Sequence, residues 1–252
     1  MGGTQMNTQY STGHAGCSCG RRGFLRGAAA LGFTSLMAGG AVADTCVVFD
    51  QARQAATTPD DAIARLKAGN ARLLAGETVN CDILGQIRAT ATGQAPFAAI
   101  VGCIDSRVPP ELVFDQRIGS VFAARIAGNF VNTDIIGSLE FATKITGARA
   151  IVVLGHTECG AIRGAISNAQ LGNLTATLSN IEPAVVAMRG FEGKRTADNG
   201  AFVQAVADMN AKLAAKMILD RSVIIRDLVE AGDVKVVAAM HDVATGRVDF
   251  LN

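Results

Sequence analysis

Short apolar segments that alternate with a helical pattern constrain the fold of this chain most strongly. Phe97–Gly102, Ser120–Ile126 and Ala150–Leu154 are apolar on both faces, which is typical of strands in a parallel sheet covered on both sides. Thr133–Thr146 has helical spacing and lies between the second and third of these segments. This order matches the crossovers that right-handed βαβ units need. It therefore predicts a parallel sheet flanked by helices.

The remaining segments extend the same pattern. Asp60–Ala75 predicts an amphipathic helix, and Asn199–Ala231 predicts a helical region that breaks near Asp220–Ser222. Val234–Met240 predicts a fourth strand, and Arg247–Leu251 predicts an edge strand after a turn. We therefore expect a single α/β domain. Its central, mostly parallel sheet would have about four strands plus an antiparallel edge strand, flanked by helices.

Composition excludes several other classes of protein. Of the 252 residues, 49% are hydrophobic and 18% are charged, which allows a sizeable buried core. The formal net charge is +1, so the chain lacks the basic signature of a nucleic-acid-binding protein. Beyond residue 43 no unbroken apolar run is long enough to span a bilayer, and we expect no membrane span in the mature chain.

The first 43 residues differ from the rest because they contain no Asp or Glu. The arginine pair Arg21-Arg22 precedes the Ala- and Gly-rich apolar stretch Gly27–Ala43, which ends in the cleavage-like pattern Ala41-Val42-Ala43. This arrangement resembles a bacterial twin-arginine export signal. The alternative is an ordinary Ala-rich helix after a disordered tail. We predict a signal peptide at residues 1–43, a mature domain at residues 44–252, and a periplasmic or otherwise exported protein.

Four cysteines remain after the predicted signal. Cys46 and Cys81 could form a disulfide in an oxidising periplasm, but the sequence does not show whether their Cα atoms lie within bonding distance. Cys103 and Cys159 belong instead to two polar clusters, Cys103-Ile-Asp-Ser-Arg107 and His156-Thr-Glu-Cys159. Each cluster follows an apolar strand segment.

The two clusters offer a set of metal ligands. Ligands in open parallel sheets bind beyond the carboxyl ends of the strands, where Cys103 and His156 are predicted to lie, and Cys159 would open the next helix. Two thiolates and one imidazole suit zinc, and a three-ligand set leaves one position for water, as catalytic sites do. The alternative is that both cysteines are small buried hydrophobic residues. Two cysteines and a histidine at matching strand ends favour the metal.

Asp105 and Arg107 follow the first of these ligands. Asp105 could accept a hydrogen bond from zinc-bound water or could ligate the zinc itself, and Arg107 is placed to keep the Asp105 carboxylate ionised. The alternative is a surface ion pair that contributes little to stability. Their position beside a predicted metal ligand favours a catalytic role.

Together, Cys103-x-Asp105-Ser106-Arg107 and His156-Thr157-x-Cys159-Gly160 resemble the motifs of the β-class carbonic anhydrases. This pair of motifs is far more specific than a lone Cys-x-x-Cys. The similarity extends over residues 60–250 through the following segments: Gly93-Gln94-Ala95-Pro96, Arg125-x-Ala127-Gly128-Asn129, Gly137-Ser138-Leu139-Glu140, Ser222-x-Ile224 and the turn Thr245-Gly246.

The resemblance implies a zinc-dependent lyase that reversibly hydrates carbon dioxide to bicarbonate and a proton by zinc-bound hydroxide. It implies that Cys103, His156 and Cys159 hold the zinc. It also implies that Asp105 and Arg107 orient the hydroxide, and that in a closed state Asp105 becomes a fourth zinc ligand.

The resemblance also implies residues beyond the metal site. Gln94 would enter the active site across the interface of a homodimer or higher homo-oligomer, and Phe122 would form an apolar wall of the carbon dioxide pocket. Phe141 stands where many relatives have Tyr. The mature chain has neither Trp nor Tyr, so we expect it to lack the separate bicarbonate site that one subgroup builds from those residues.

Two other functions fit the same ligands. One is hydrolysis of a carbon dioxide analogue, either carbonyl sulfide or carbon disulfide, by an enzyme of the same fold. The other is a non-catalytic protein that binds zinc or bicarbonate. Asp105 and Arg107 argue against the second alternative, because a protein that only binds would not need them.

Overall fold

The computed structural model of the chain describes residues 47–79 and 82–251. The strands are β1 (Ala98–Gly102), β2 (Val121–Arg125), β3 (Ala150–His156), β4 (Lys235–His241) and β5 (Val248–Leu251). They form one sheet in the order β2-β1-β3-β4-β5. The first four strands of this order are parallel, and β5 is antiparallel to β4 at the edge. The predicted α/β sheet is confirmed.

Helices cover this sheet. They are α1 (Gln51–Ala56), α2 (Pro59–Ala75), α3 (Ile83–Thr90), α4 (Pro110–Val113), α5 (Thr133–Glu140), α6 (Gly160–Ile166), α7 (Gly172–Ser179), α8 (Glu182–Ala187), α9 (Gly200–Arg221) and α10 (Val223–Glu230). The sequence patterns do not predict α1, α3 or α4. The patterns also assign no element to Leu171–Thr196, the segment in which the structure has α7 and α8. Among the helices described, none combines the length and the apolar character that a membrane span requires.

Both faces of the sheet are buried, because alternate residues of a strand point to opposite faces. On one face, Ile100 and Val152 pack in a cluster with Leu66 of α2. On the other face, Val101 and Val153 pack in a cluster with residues of α5, α9 and α10. This two-sided burial explains why these strands are apolar throughout rather than alternating.

The carboxyl ends of the parallel strands meet at one edge of the sheet. Gly102, the last residue of β1, is level with Leu154 in β3 and with Arg125 in β2. β3 continues to His156, which is level with His241 at the end of β4. The residue after β1 and the last residue of β3 are therefore brought to the same edge.

Local sequence signals explain the limits of α2. The Thr58 hydroxyl accepts a hydrogen bond from the Asp61 backbone N–H at 3.1 Å, and the Asp61 carboxylate accepts one from the Thr58 N–H at 3.2 Å. This capping box, with Pro59 at the first helical position, starts the helix. Gly76 ends it with a φ of +73°, a conformation that glycine adopts without strain.

Two predicted helical stretches are divided in the structure. α5 ends at Glu140, and the chain continues as a single π-helical turn over Phe141–Ile145. Ser222 separates α9 from α10: its hydroxyl accepts from the Ile225 N–H at 3.1 Å and donates to Glu140 Oε1 at 2.6 Å. The predicted break in the last helical region is therefore confirmed, and a serine cap forms it.

Candidate metal centre

Three candidate ligand atoms lie together at the carboxyl edge of the sheet. The sulfurs of Cys103 and Cys159 and a ring nitrogen of His156 are all within 4.8 Å of one another, and all three residues are buried. Cys103 directly follows β1, His156 is the last residue of β3, and Cys159 immediately precedes α6. The sequence predicted that these residues come together.

The hydrogen bonding of His156 leaves one ring nitrogen ready for a metal. Nδ1 lies 2.9 Å from the Thr157 carbonyl oxygen, so Nδ1 carries the proton and donates. Nε2 is buried and has no hydrogen-bond partner within residues 47–79 and 82–251. A buried nitrogen lone pair is costly when nothing binds it. A cation that shares the site with two sulfurs would satisfy it, and the Cys-His-Cys donor set suits zinc.

The two buried thiols differ in acidity. The pKa of Cys103 is lowered, chiefly by a hydrogen bond from the Cys159 thiol and also by one from the Gly128 N–H. The pKa of Cys159 is raised, because its proton is held by Cys103 and the group is buried. One thiolate therefore forms readily, whereas the second needs a cation to replace its proton.

Asp105 and Arg107 form a two-point ion pair beside these ligands. Arg107 Nε donates to Asp105 Oδ1 at 2.9 Å, and Nη2 donates to Oδ2 at 2.7 Å. These bonds hold the pKa of Asp105 well below its usual range, so the carboxylate stays ionised. Asp105 Oδ2 lies 4.0 Å from His156 Nε2. An ionised acceptor thus faces the ligand cluster.

Arg125 and Gly128 support the first ligand, although the sequence alone does not assign a role to either residue. Arg125 Nε donates to the Cys103 carbonyl at 2.9 Å and Nη2 donates to the Asp105 carbonyl at 2.6 Å. The Gly128 N–H donates to the Cys103 sulfur at 3.3 Å. The only sequence signal was their place in the motif Arg125-x-Ala127-Gly128-Asn129, which contributed to the resemblance.

Comparison with known proteins agrees with this geometry. The family model described as carbonic anhydrase matches residues 98–248, a segment that contains all three candidate ligands. The chain is 32% identical over 197 residues to carbonic anhydrase 2 of Mycobacterium tuberculosis, a match that covers 76% of this chain and 92% of that protein. The chain belongs to the carbonic anhydrase family. A carbonic anhydrase of Mycolicibacterium smegmatis is also 32% identical, over 77% of this chain and 94% of that protein.

Solved structures place the chain in the β class of carbonic anhydrases. It matches a tetrameric β-carbonic anhydrase of Sordaria macrospora with a TM-score of 0.59 and 29% identity, covering 64% of this chain and 83% of the other. A β-carbonic anhydrase of Aspergillus fumigatus gives a TM-score of 0.60 and 25% identity, over 77% of this chain and 90% of the other.

Two residues that the β-carbonic anhydrase resemblance assigns to the active site lie away from the three ligands. Gln94 is exposed and precedes β1, whereas Cys103 follows it, so the chain does not bring its own Gln94 to its own ligand cluster. Phe122 is half-buried in β2, and its ring packs edge-on against Phe141 with centroids 6.2 Å apart. It lies three residues before Arg125, about 10 Å along the strand from the ligand end.

Proposed function

We propose that this protein catalyses the reversible hydration of carbon dioxide to bicarbonate and a proton, with zinc held by Cys103, His156 and Cys159. One observation carries the proposal. Arg107 holds the ionised Asp105 carboxylate with Oδ2 4.0 Å from His156 Nε2, the nitrogen of the three-ligand cluster that has no hydrogen-bond partner among the described residues. Zinc in such a site supplies the Lewis acidity that makes water nucleophilic near neutral pH.

The chain's own residues orient the reacting water. Asp105 acts as a fixed acceptor that holds one O–H of the water and directs an oxygen lone pair toward the carbon of carbon dioxide. Arg107 prevents Asp105 from taking up a proton and becoming a donor. In the hydration direction, the water oxygen forms a bond to carbon, one C=O bond becomes C–O⁻, and one proton leaves to solvent.

A stopped-flow assay of carbon dioxide hydration on the zinc-loaded protein tests this function. Cys159→Ser, which removes one ligand, is the inactive control. Absence of activity between pH 7 and 9 would contradict the proposal and favour the non-catalytic alternative. Hydrolysis of carbonyl sulfide without hydration of carbon dioxide would favour the analogue hydrolase instead.

We also propose that the active unit is a homodimer or higher homo-oligomer in which Gln94 of one subunit completes the site of another. The exposed position of Gln94 at the opposite end of β1 from Cys103 supports this arrangement. The family member from Sordaria macrospora is described as tetrameric.

Hybrids of two inactive variants separate this arrangement from a site within one subunit. Gln94→Ala and Asp105→Asn subunits are mixed under conditions that exchange subunits. If Gln94 acts across the interface, each hybrid dimer has one site with both residues intact, so activity returns. If Gln94 acts in its own subunit, no hybrid has an intact site and activity stays absent.

We propose that residues 1–43 are a twin-arginine signal and that the mature protein begins at Asp44 in the periplasm; the support is the sequence pattern, which lies outside the described residues. Replacing Arg21-Arg22 by Lys-Lys should retain the protein in the cytoplasm, whereas Arg26→Lys should not. Intact mass of the periplasmic protein would locate the cleavage.

Cys46 and Cys81 also lie outside the described residues, and their disulfide stays a prediction.

A twin-arginine route carries folded proteins, so zinc could be bound before export. Equal zinc content and activity in a variant exported through the general secretory route would contradict that order of events.

A further inference from the structure

The long helix α9 carries one buried amide among apolar residues. Asn210 is 4% exposed, and its neighbours on the buried face of α9 are apolar, including Val206, Ala207, Ala211 and Ala214. Its Nδ2 donates to the Gly128 carbonyl at 2.8 Å. Burying an amide costs free energy unless it is hydrogen-bonded. An apolar residue would suit this helix face better if packing were its only role.

The partner of Asn210 is the turn that contacts the metal centre. The Gly128 N–H donates to the Cys103 sulfur at 3.3 Å, so Gly128 is bonded on one side to a metal ligand and on the other to α9. Its φ of +82° suits glycine, and a Cβ there would come 2.5 Å from Ile181 Cδ1. The bond between the Asn129 N–H and the Ile126 carbonyl closes the turn at 3.0 Å.

We propose that Asn210 is a positioning residue of the metal centre, which holds Gly128 so that the N–H of Gly128 donates to the Cys103 sulfur. This proposal rests on the metal site described above. The N–H···S bond draws electron density from one of the two thiolates and so weakens its donation to the bound cation. Outer groups of this kind typically alter metal affinity or activity by about 10- to 100-fold. Because Asn210 acts through Gly128, we expect an effect at the lower end of this range.

Asn70 provides a matched control. It is also 4% exposed and lies in a helix, α2, where its Nδ2 donates to the carbonyls of Val113 and Gly246 at 2.9 and 2.8 Å. α2 packs on the opposite face of the sheet from α9. Asn70→Leu therefore removes a similarly buried amide donor without touching the turn at Gly128.

The test compares Asn210→Leu with Asn70→Leu in the full-length chain. Zinc affinity is measured by competition with a chromophoric chelator, and the thiolate-to-metal charge-transfer band is measured in cobalt(II)-loaded protein. We expect both variants to be less stable in urea. Only Asn210→Leu should change zinc affinity, by about tenfold, and shift the cobalt band.

Equal zinc affinity and equal cobalt spectra in the two leucine variants would overturn the role of Asn210 alone. A wild-type chain that binds neither zinc nor cobalt would overturn the metal site and this proposal together. If Asn210→Leu does not fold, NMR of the wild-type protein loaded with ¹¹³Cd decides. A scalar coupling between the cadmium and the Gly128 amide proton would support the N–H···S bond, and its absence would overturn the proposal.

Discussion

Arg107 contacts both carboxylate oxygens of Asp105, through Nε at 2.9 Å and Nη2 at 2.7 Å, and its own backbone N–H adds a third bond at 3.0 Å. A guanidinium matches a carboxylate at two points, whereas an ammonium cannot. The orientation of the Asp105 carboxylate is thus determined by a residue two positions further along the same loop. Arg107 Nη2 also donates to the Glu158 carbonyl, which ties this loop to the segment before Cys159.

Asp105→Asn should keep zinc but lose most carbon dioxide hydration, by about a hundredfold or more. The asparagine amide preserves the size of the side chain but places an N–H₂ donor where an ionised acceptor is needed. Zinc content by elemental analysis and the rate by stopped flow check this expectation. Wild-type values for both quantities would show that the Asp105 carboxylate has no catalytic role.

Gly128→Ala should lower the free energy of unfolding by about 2–4 kcal/mol, because it adds strain at positive φ to a clash with Ile181. Gly76→Ala is the matched control, since Gly76 also has a positive φ, but a Cβ there would meet no atom within 4 Å in the described part of the chain apart from its own neighbours. Gly76→Ala should lower the free energy of unfolding by only about 1 kcal/mol. Urea unfolding of the zinc-loaded proteins measures the stability of both variants. Equal losses of unfolding free energy would mean that the Ile181 side chain moves away from the new methyl group at no cost.

Ser222→Ala should destabilise the chain by about 1–2 kcal/mol, the usual effect of losing a helix cap. The substitution removes the hydroxyl that caps α10 and leaves Glu140 without its bond from Ser222. Ser179→Ala, at an exposed serine whose hydroxyl donates to the carbonyl of Ala176 in its own helix, should change stability by less than about 0.5 kcal/mol. Chemical denaturation checks the pair, and a similar small effect at both positions would contradict the capping role.

Asp208→Asn should stabilise the folded chain at neutral pH and do so less at acid pH. Burial raises the pKa of Asp208 above its ordinary value, so its charged form is disfavoured in the folded state. As pH rises, the Asp208 carboxyl therefore ionises at a lower pH in the unfolded chain than in the folded chain. The free energy of unfolding falls between these two pKa values. The gain, on the order of 0.5 kcal/mol for this half-buried group in partial contact with water, should be constant near neutral pH and should shrink only as pH falls through the folded pKa toward the ordinary Asp value of 3.8. A gain that is independent of pH would contradict this cause.

The strands and the ligand set could be predicted because their signals are local. Continuous apolar runs such as Ala150–Leu154 reveal buried parallel strands, and parallel topology then brings the residues after β1 and at the end of β3 to one edge. Cys103 and His156 needed no further information. Asp105 and Arg107 followed from their position in the same loop as Cys103.

The supporting residues could not be predicted because their roles depend on contacts far apart in the sequence. Asn210 is an ordinary helical residue in the sequence, and only the packing of α9 against the sheet brings it to Gly128. The short helices α3 and α4 have too few residues to show a helical period. The π-helical turn after α5 has no local sequence signal that distinguishes it from regular helix.

The three ligands come from two segments that are distant in the chain: the loop after β1 supplies Cys103, and the segment from the end of β3 to the start of α6 supplies His156 and Cys159. Local folding alone cannot complete this site, because Cys103 reaches His156 only when β1 and β3 have paired in parallel register. Parallel pairing of distant segments is among the slower events in folding. Occupancy of the complete three-ligand site therefore reports the completion of the slow, long-range step, because a chain trapped before that step has His156 and Cys159 together but lacks Cys103.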